Sequence, residues 1–395
     1  MYFFVGGVFP NTQYELIVKN SRKSIQDAAN LLQWSFIKGL DWYVDKMKVL
    51  SLPFVGTYPI HYSKVFIRKS NFSYSFKITG LVLSFCTLPV VGLFFKYVSL
   101  KKTLFSEAKD GDVVIIYSVH TPFLLASYRL KRKYPNVHLC LIVPDLPQFM
   151  SSSSNLCYKF LKKIDGVVIK RMMKYIDSFV LISDYMTIPL NIGKRPWVRI
   201  EGIYSSEMKL QYKKNEAFTF CYTGTLDPRY GIYNLLSAFS LLDREDVQLW
   251  ICGKGNAESE VKKAALNDKR IKYYGQITHD KVLELQQKST VLINPRTSDG
   301  EYTLYSFPSK TMEYLASGTP CIMHSLPALP KEYQDYIYIA KDGASGLLEM
   351  MKELVLKKRE DLSAFGMRAK EFVNDQKNPY SCLLYTSPSP RDGLL

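Results

Sequence analysis

The residues best suited to chemistry fall in one stretch, NPRTSDGEYTLYSFPSKTMEYLASGTPCI (294–322). Pro308 stands where a helix begins, because the first helical position does not need the N–H that proline lacks. Gly318 stands just past its end, where a left-handed cap is wanted. In between, the amides of Ser309, Lys310 and Thr311 are expected to lack partners in the helix. Free amides at the positive end of a helix, with the Lys310 ammonium beside them, suit a diphosphate. Glu313 lies about a turn further in, where a carboxylate can accept hydrogen bonds from ribose hydroxyls. The same residues also fit an ordinary capped helix with Glu313 solvated.

The elements that position this stretch alternate regularly. DVVIIYS (112–118), VHLCLIV (137–143) and SFVLIS (178–183) are apolar runs of strand length. After Lys214 the pattern restarts: FTFCYTG, VQLWICG, IKYYG, TVLINP and a final short PCIMH read as strands, with amphipathic segments between them. Continuous apolar strands alternating with helices predict parallel sheets covered on both faces. The expected fold is α/β, with two Rossmann-like doubly wound domains. Residues 1–204 form the first domain and 205–381 the second, and the polar stretch 201–217 is the hinge. Residues 382–395 (CLLYTSPSPRD and beyond) have no apolar period. They resemble a translated sequencing adapter, so they are expected to be a non-native tail after a coding sequence that stops near Ser381.

In such sheets ligands bind beyond the carboxyl ends of the strands, which directs attention to the strand-to-helix loops. Gly253 and Gly255 form a G-x-G after a strand, a weak signal alone. Gly6 and Gly7 follow the first strand and either admit a ligand close to the backbone or make a turn. His120 and Asp145 end two further strands. Asp145 either binds acceptor hydroxyls or makes an Asx turn before Pro147. The D-x-D at 110–112 precedes a strand, at the wrong end of the sheet for chemistry, and reads as a turn. The five histidines lack metal-ligand spacing, and no G-x-x-x-x-G-K-[ST] loop is present.

Composition bounds the rest. With 47% apolar and 22% charged residues the chain of 395 is globular. Its formal net charge of +16 favours anionic partners. No aromatic-basic motif supports nucleic acid. Seven scattered cysteines, none in a C-x-x-C pair, read as buried thiols of a reducing compartment. The N-terminus reads as a first strand, not a signal peptide. Ile78 to Phe95 is almost wholly apolar, with Lys77 before it and Lys96, Lys101 and Lys102 after it. It is marginal for a membrane span and is expected as an interfacial helix on anionic lipid or as an internal core helix.

Taken in order and spacing, FCYTGTLDPRYGIYNLLSAF, LWICGKGN, IKYYGQIT, VLINPR and YSFPSKTMEYLASGTPCI resemble family four of the retaining glycosyltransferases, especially its bacterial surface-polysaccharide members. The likeness covers Phe218 to Met323 well and the first half more loosely. It implies a GT-B fold, two domains facing across a cleft, and a nucleotide-diphosphate sugar held without metal or other cofactor. The family's second motif glutamate matches Glu313. The first falls on Tyr305, so either Glu301 replaces it or Tyr305 and backbone amides do. The family's Arg and Lys positions in the loop after the first strand of the second domain fall on Thr225 and Tyr230. Arg229 is the candidate replacement, with Lys310 and Arg296. The resemblance further implies donor contacts from Gly7, Gly224, Gly253, Gln276, Ile277, Tyr305, Ser306, Phe307, Pro308, Ser309 and Thr311. It also implies a sugar or phosphate contact from His120, where a purely structural histidine is the alternative.

The activity implied is sugar transfer, with retained anomeric configuration, to a glycan or lipid-linked saccharide during surface-polysaccharide synthesis. The enzyme is expected in the cytoplasm, at the inner face of the plasma membrane through peripheral contact with anionic lipid, and without a nucleic-acid partner. The alternatives are an inactive nucleotide-sugar-binding protein and a sugar-nucleotide epimerase of the same fold.

Overall fold

The computed structural model describes residues 1–23, 25–146, 156–205 and 212–384, without the side chains of 156–161. The chain divides into two units, Met1–Ile203 with the C-terminal segment from Pro379, and Tyr204–Asn378.

The first unit is built on β1 (Tyr2–Gly6), β2 (Met47–Ser51), β3 (Phe66–Ile67), β4 (Ser70–Ser73), β5 (Ile78–Val82), β6 (Phe85–Cys86), β7 (Val113–Tyr117), β8 (His138–Val143), β9 (Ser178–Leu181) and β10 (Trp197–Arg199). Eight of these form one sheet in the order β10-β9-β8-β7-β1-β2-β5-β4, while β3 and β6 pair separately. All neighbours in the large sheet are parallel except β4 and β5. Phe3, Phe4 and Val5 are wholly buried, as a central strand covered on both faces requires. The helices are α1 (Asn11–Asn20), α2 (Asp27–Tyr43), α3 (Val91–Glu107), α4 (Thr121–Lys133) and α5 (Leu156–Met172). Asp112, the last residue of the D-x-D, accepts from the Met1 ammonium at 2.8 Å and the Lys109 amide at 2.7 Å. It therefore closes a turn at the amino end of β7.

The apolar run 78–95 is not one helix. Its first residues are β5, paired with β2 through Met47↔Ile78, followed by β6, and only its last five residues enter α3. Ile78, Leu81 and Val82 gain more by filling a sheet than by extending a helix that Pro89 would interrupt. Among the described residues no helix is long and apolar enough to cross a membrane.

The second unit contains β11 (Phe218–Thr223), β12 (Val247–Cys252), β13 (Ile271–Tyr273), β14 (Val291–Asn294), β15 (Cys321–His324) and β16 (Tyr338–Ala340). They form an all-parallel sheet in the order β13-β12-β11-β14-β15-β16. Around it lie α6 (Ile232–Ser240), α7 (Glu258–Asn267), α8 (His279–Lys288), α9 (Lys310–Ala316), α10 (Gly343–Val355) and α11 (Arg359–Gln376). The reversal at β11/β14 is a topological switch point. PCIMH, expected as the final strand, is followed by the three-residue edge strand β16. Six cysteines, Cys86, Cys140, Cys221, Cys252, Cys321 and Cys382, are free and buried.

A short helix, α12 (Pro379–Leu384), belongs to the first unit. Gly39 lets it approach α2, since a Cβ there would sit 2.3 Å from the Pro379 carbonyl oxygen. Tyr380 stacks on Tyr43 at 5.5 Å, and the Tyr43 hydroxyl donates to its carbonyl. Cys382 and Leu383 are buried. Residues 382–384, expected to lie outside the fold, thus fill a groove on α2; those beyond 384 lie outside the described residues. Truncating Leu383 to Ala should cost about 2–5 kcal/mol, as buried leucines do. A lower thermal midpoint for Leu383→Ala checks this, and an unchanged midpoint contradicts the docking of α12.

Candidate functional site

In the second unit the loops after β11, β12 and β13 are tied by backbone bonds. Gly224 N–H donates to Cys252 O at 3.0 Å, Leu226 N–H to Lys254 O at 3.1 Å, and Gly253 N–H to Gly275 O at 2.8 Å. Gly253 has φ +141°, and a Cβ there would lie 1.8 Å from Gly224 O. The two loops close only because residue 253 has no side chain. Gln276 and Ile277 follow in the next loop. Burial pushes the Cys252 thiol up, while the Ile277 backbone and the Lys310 charge act the other way. Those three groups therefore share one neighbourhood at the carboxyl end of β12.

Helix α9 approaches these loops and is clamped to β11. The Tyr314 hydroxyl accepts from Thr223 N–H and donates to Thr223 O, both at 2.9 Å. Gln286, wholly buried on α8, donates to Thr223 Oγ1 at 2.9 Å and to Glu313 Oε1 at 2.6 Å. Lys310 Nζ reaches the same Glu313 oxygen at 3.0 Å, and His279 Nδ1 lies 4.0 Å from the other. Sequence reasoning missed Gln286, Thr223 and Tyr314. Gln286 sits in HDKVLELQQK, which reads as a polar helix face, and nothing local marks one glutamine as buried.

The start of α9 differs from expectation at one residue. Thr311 N–H donates to Pro308 O at 2.8 Å, because Ser309 already has helical dihedrals and the turn closes one residue early. The Thr311 side chain is buried as well, so of the three expected amides only those of Ser309 and Lys310 precede the bonded part of the helix. Phe307 and Pro308 are buried, Phe307 against Tyr333 at 5.4 Å, which leaves their backbone as the part able to meet a ligand.

The cations divide by environment. Arg229 is 70% exposed, and Asp227 holds it through Nε at 2.9 Å and Nη2 at 3.0 Å. That pairing keeps the Asp227 carboxyl below the usual range. Arg296 is buried, with Nη2 on Ser306 Oγ at 2.7 Å, its guanidinium 5.0 Å from the Tyr302 ring, and Nε without a partner. No carboxylate among the described residues pairs with it, and burial pulls its pKa down. Tyr305 donates to Glu301 Oε1 at 3.2 Å, so that carboxylate reaches position 305.

The first-unit residues gather elsewhere. Gly7 faces no open space: its N–H donates to Gln33 Oε1 at 2.7 Å, its carbonyl accepts from Phe54 N–H, and a Cβ would sit 2.4 Å from the Phe54 ring. His120 and Asp145 both line a cavity of about 950 Å³ at the carboxyl ends of the first sheet. His120 packs edge-on against Phe123 at 4.7 Å, and its Nε2 is buried without a partner. Burial raises the Asp145 pKa. Pro147, which the Asx turn would use, lies outside the described residues. Among those residues no group of three or more His, Cys, Asp or Glu is arranged to hold a metal ion.

Residues 206–372 match the family model of glycosyl transferases group 1, so this segment carries a group 1 glycosyltransferase domain. No curated protein matches the sequence. Solved structures do match the fold. A sucrose-phosphate synthase from Thermosynechococcus elongatus aligns with TM-score 0.63 at 15% identity, over 98% of this chain and 97% of that one. The E. coli trehalose-6-phosphate structure bound with UDP-2-fluoro glucose gives 0.65 at 8% identity, over 98% of each chain. The lipopolysaccharide outer core galactosyltransferase WaaB gives 0.59 at 13%, over 97% of this chain and 98% of that one. The fold is GT-B, with two Rossmann-like units.

Burial, helped by the Lys96 charge, pushes His120 down to about 3 from its ordinary 6.5. The unfolded chain therefore takes up this proton first, and the stability due to the neutral ring is complete above pH 6.5 and lost as pH falls towards 3. Its ring resonances should stay still in NMR between pH 8 and 5, and His120→Asn should flatten the acid limb of the stability curve. A His120 midpoint near the ordinary value contradicts this.

Proposed function

We propose that the chain transfers a sugar from a nucleotide-diphosphate sugar to a hydroxyl of a glycan or lipid-linked saccharide, with retained anomeric configuration, in surface-polysaccharide synthesis. The observation that carries this reading is the convergence of Lys310, Glu313 and Gln286 beside the loops after β11, β12 and β13, within the segment that matches the group 1 model. The UDP-sugar in the E. coli relative supports the donor class.

In this reading Lys310 and Arg296 meet the diphosphate, with the Ser309 and Lys310 amides. Lys310 gives up an ion pair with Glu313 that is partly exposed, worth about 1 kcal/mol or less. A charge-assisted bond to phosphate returns roughly 1.5–3 kcal/mol, so the exchange favours the ligand. Glu313, freed of Lys310 and still held by Gln286, takes the ribose hydroxyls. Arg296 suits the diphosphate better than Arg229, since it is buried and has no carboxylate beside it, whereas Asp227 already balances Arg229. Glu301 and Tyr305 act together where the family has its first glutamate, on the donor sugar. As the glycosidic bond breaks, charge grows on the leaving phosphate, and the fixed cations stabilise it. That phosphate, on the same face of the sugar, accepts the acceptor's proton, which accounts for retention without a protein nucleophile. The first unit holds the acceptor, with Asp145 on its hydroxyls.

Membrane contact belongs to α3. Val91, Phe94, Phe95 and Val98 are exposed on its first turns, and Lys101 and Lys102 follow. Apolar side chains next to lysines fit an anionic bilayer surface, where each cation contributes about 1 kcal/mol. A double substitution, F94D with F95D, should abolish sedimentation with phosphatidylglycerol vesicles at low salt. Wild-type protein that never sediments with them overturns the membrane reading.

Glu313→Gln and Lys310→Met should each lower kcat/KM for transfer by about 100-fold or more, the scale of lost charge stabilisation in a site. Saturation-transfer NMR against UDP-, GDP- and dTDP-sugars identifies the donor for that assay. Wild-type turnover in both variants contradicts the assignment. Release of a sugar epimer still attached to its nucleotide would instead identify an epimerase.

A further inference from the structure

The cavity of about 950 Å³ in the first unit is lined by six cations, Lys23, Lys96, Lys162, Lys170, Lys174 and Arg195, and by two carboxylates, Asp145 and Asp165. Not all of these are available. Arg195 is spent on the chain itself, donating to the carbonyls of Ile192, Ile176 and Asn191 at 2.7, 3.2 and 2.6 Å. Asp165 accepts from the Thr121 hydroxyl. Lys23, Lys170 and Lys174 are exposed at the rim.

Lys96 differs from them. It projects from α3 with Nζ 4.7 Å from the centre of the Phe85 ring, and no carboxylate among the described residues pairs with it. Burial alone draws its pKa down to about 8, so at neutral pH it still carries most of its charge. Lys96 is half-buried, and a partly desolvated cation without a counter-ion favours an anion that supplies one. Its charge is felt at His120, whose Nε2 is orphaned. Tyr117, also on the cavity wall, is 1% exposed, and its hydroxyl has no partner either. Among the described residues, two buried polar atoms that normally find partners, the Tyr117 hydroxyl and His120 Nε2, thus line the cavity without them, with the half-buried Lys96 on the same wall.

We propose that this cavity binds a saccharide bearing an anionic substituent, a phosphate or a carboxylate, with Lys96 as counter-ion and the Tyr117 hydroxyl and His120 Nε2 as hydrogen-bond partners. This deepens the preceding reading, on which it rests for the role of acceptor, by giving the acceptor a charge. Lys96 directly follows the exposed Phe94 and Phe95 in α3, so a charged group of a lipid-linked glycan would enter close to the apolar surface. The cavity also holds Asp145 for a sugar hydroxyl.

The test is calorimetric titration of the full chain with glucose 6-phosphate, glucuronate and glucose, with UDP, GDP and dTDP titrated separately. At least one anionic sugar should bind about tenfold or more tighter than glucose, the scale of one charge-assisted hydrogen bond. Whichever of the two binds better separates phosphate from carboxylate. Lys96→Met should remove that preference and leave unchanged the affinity for whichever nucleoside diphosphate binds; Tyr117→Phe, which deletes only an unpartnered hydroxyl, should weaken the anionic sugar several-fold. Anionic sugars that bind no better than glucose, or not at all, overturn the proposal, as does a Lys96→Met protein with wild-type affinity for them. A wild type that binds none of UDP, GDP and dTDP counts against the transferase reading instead, so the two failures are distinguishable.

Discussion

The second unit depends on one clamp, the Tyr314 hydroxyl on both backbone groups of Thr223. Thr223 ends β11, the strand at the switch point, and its peptide would otherwise leave the sheet with an N–H and a C=O buried and unpaired. Each such group costs about 1–3 kcal/mol. One phenol satisfies both and in doing so fixes where α9 lies. Glu313 precedes Tyr314 on that helix, and Lys310 lies one turn earlier, so the clamp sets the position of both charges. Gln286 binds to Thr223 and Glu313 and so carries the constraint to α8.

The two units treat charge in opposite ways. Around α9 the carboxylate and ammonium are paired with each other, close to the surface, so an incoming anion meets a weak competitor. In the first unit no carboxylate among the described residues pairs with Lys96. A half-buried lysine is tolerated where desolvation lowers its pKa and where a ligand completes it. Arg296 follows the same rule in the second unit, resting against the Tyr302 ring in place of a carboxylate.

Sequence pattern carried the second sheet except β16, and β1, β7, β8 and β9 of the first, but not β2, β4, β5 or β10. Strands with uninterrupted apolar runs, such as VHLCLIV and VQLWICG, appear as β8 and β12, because burial on both faces leaves no other composition open to them. The run 78–95 misled, since apolar residues over that length do not distinguish a helix from two strands and a turn. β16 escaped notice for its brevity. At the site, Lys310 and Glu313 were legible from capping signals, but their mutual ion pair, the bonded Thr311 amide and the buried Gln286 were not. Those follow from tertiary contacts between α8, α9 and β11, segments tens of residues apart. Lys96 was read as a flank of an apolar segment, and only the cavity showed which way it faces.

The most direct measurement is a crystal structure with the nucleoside diphosphate of whichever donor binds. The diphosphate oxygens should lie within hydrogen-bond distance of the Ser309 and Lys310 amides, with Lys310 Nζ moved from Glu313 onto phosphate and Glu313 on the ribose. A nucleotide bound away from α9, or one that leaves the Lys310–Glu313 pair untouched, would contradict it.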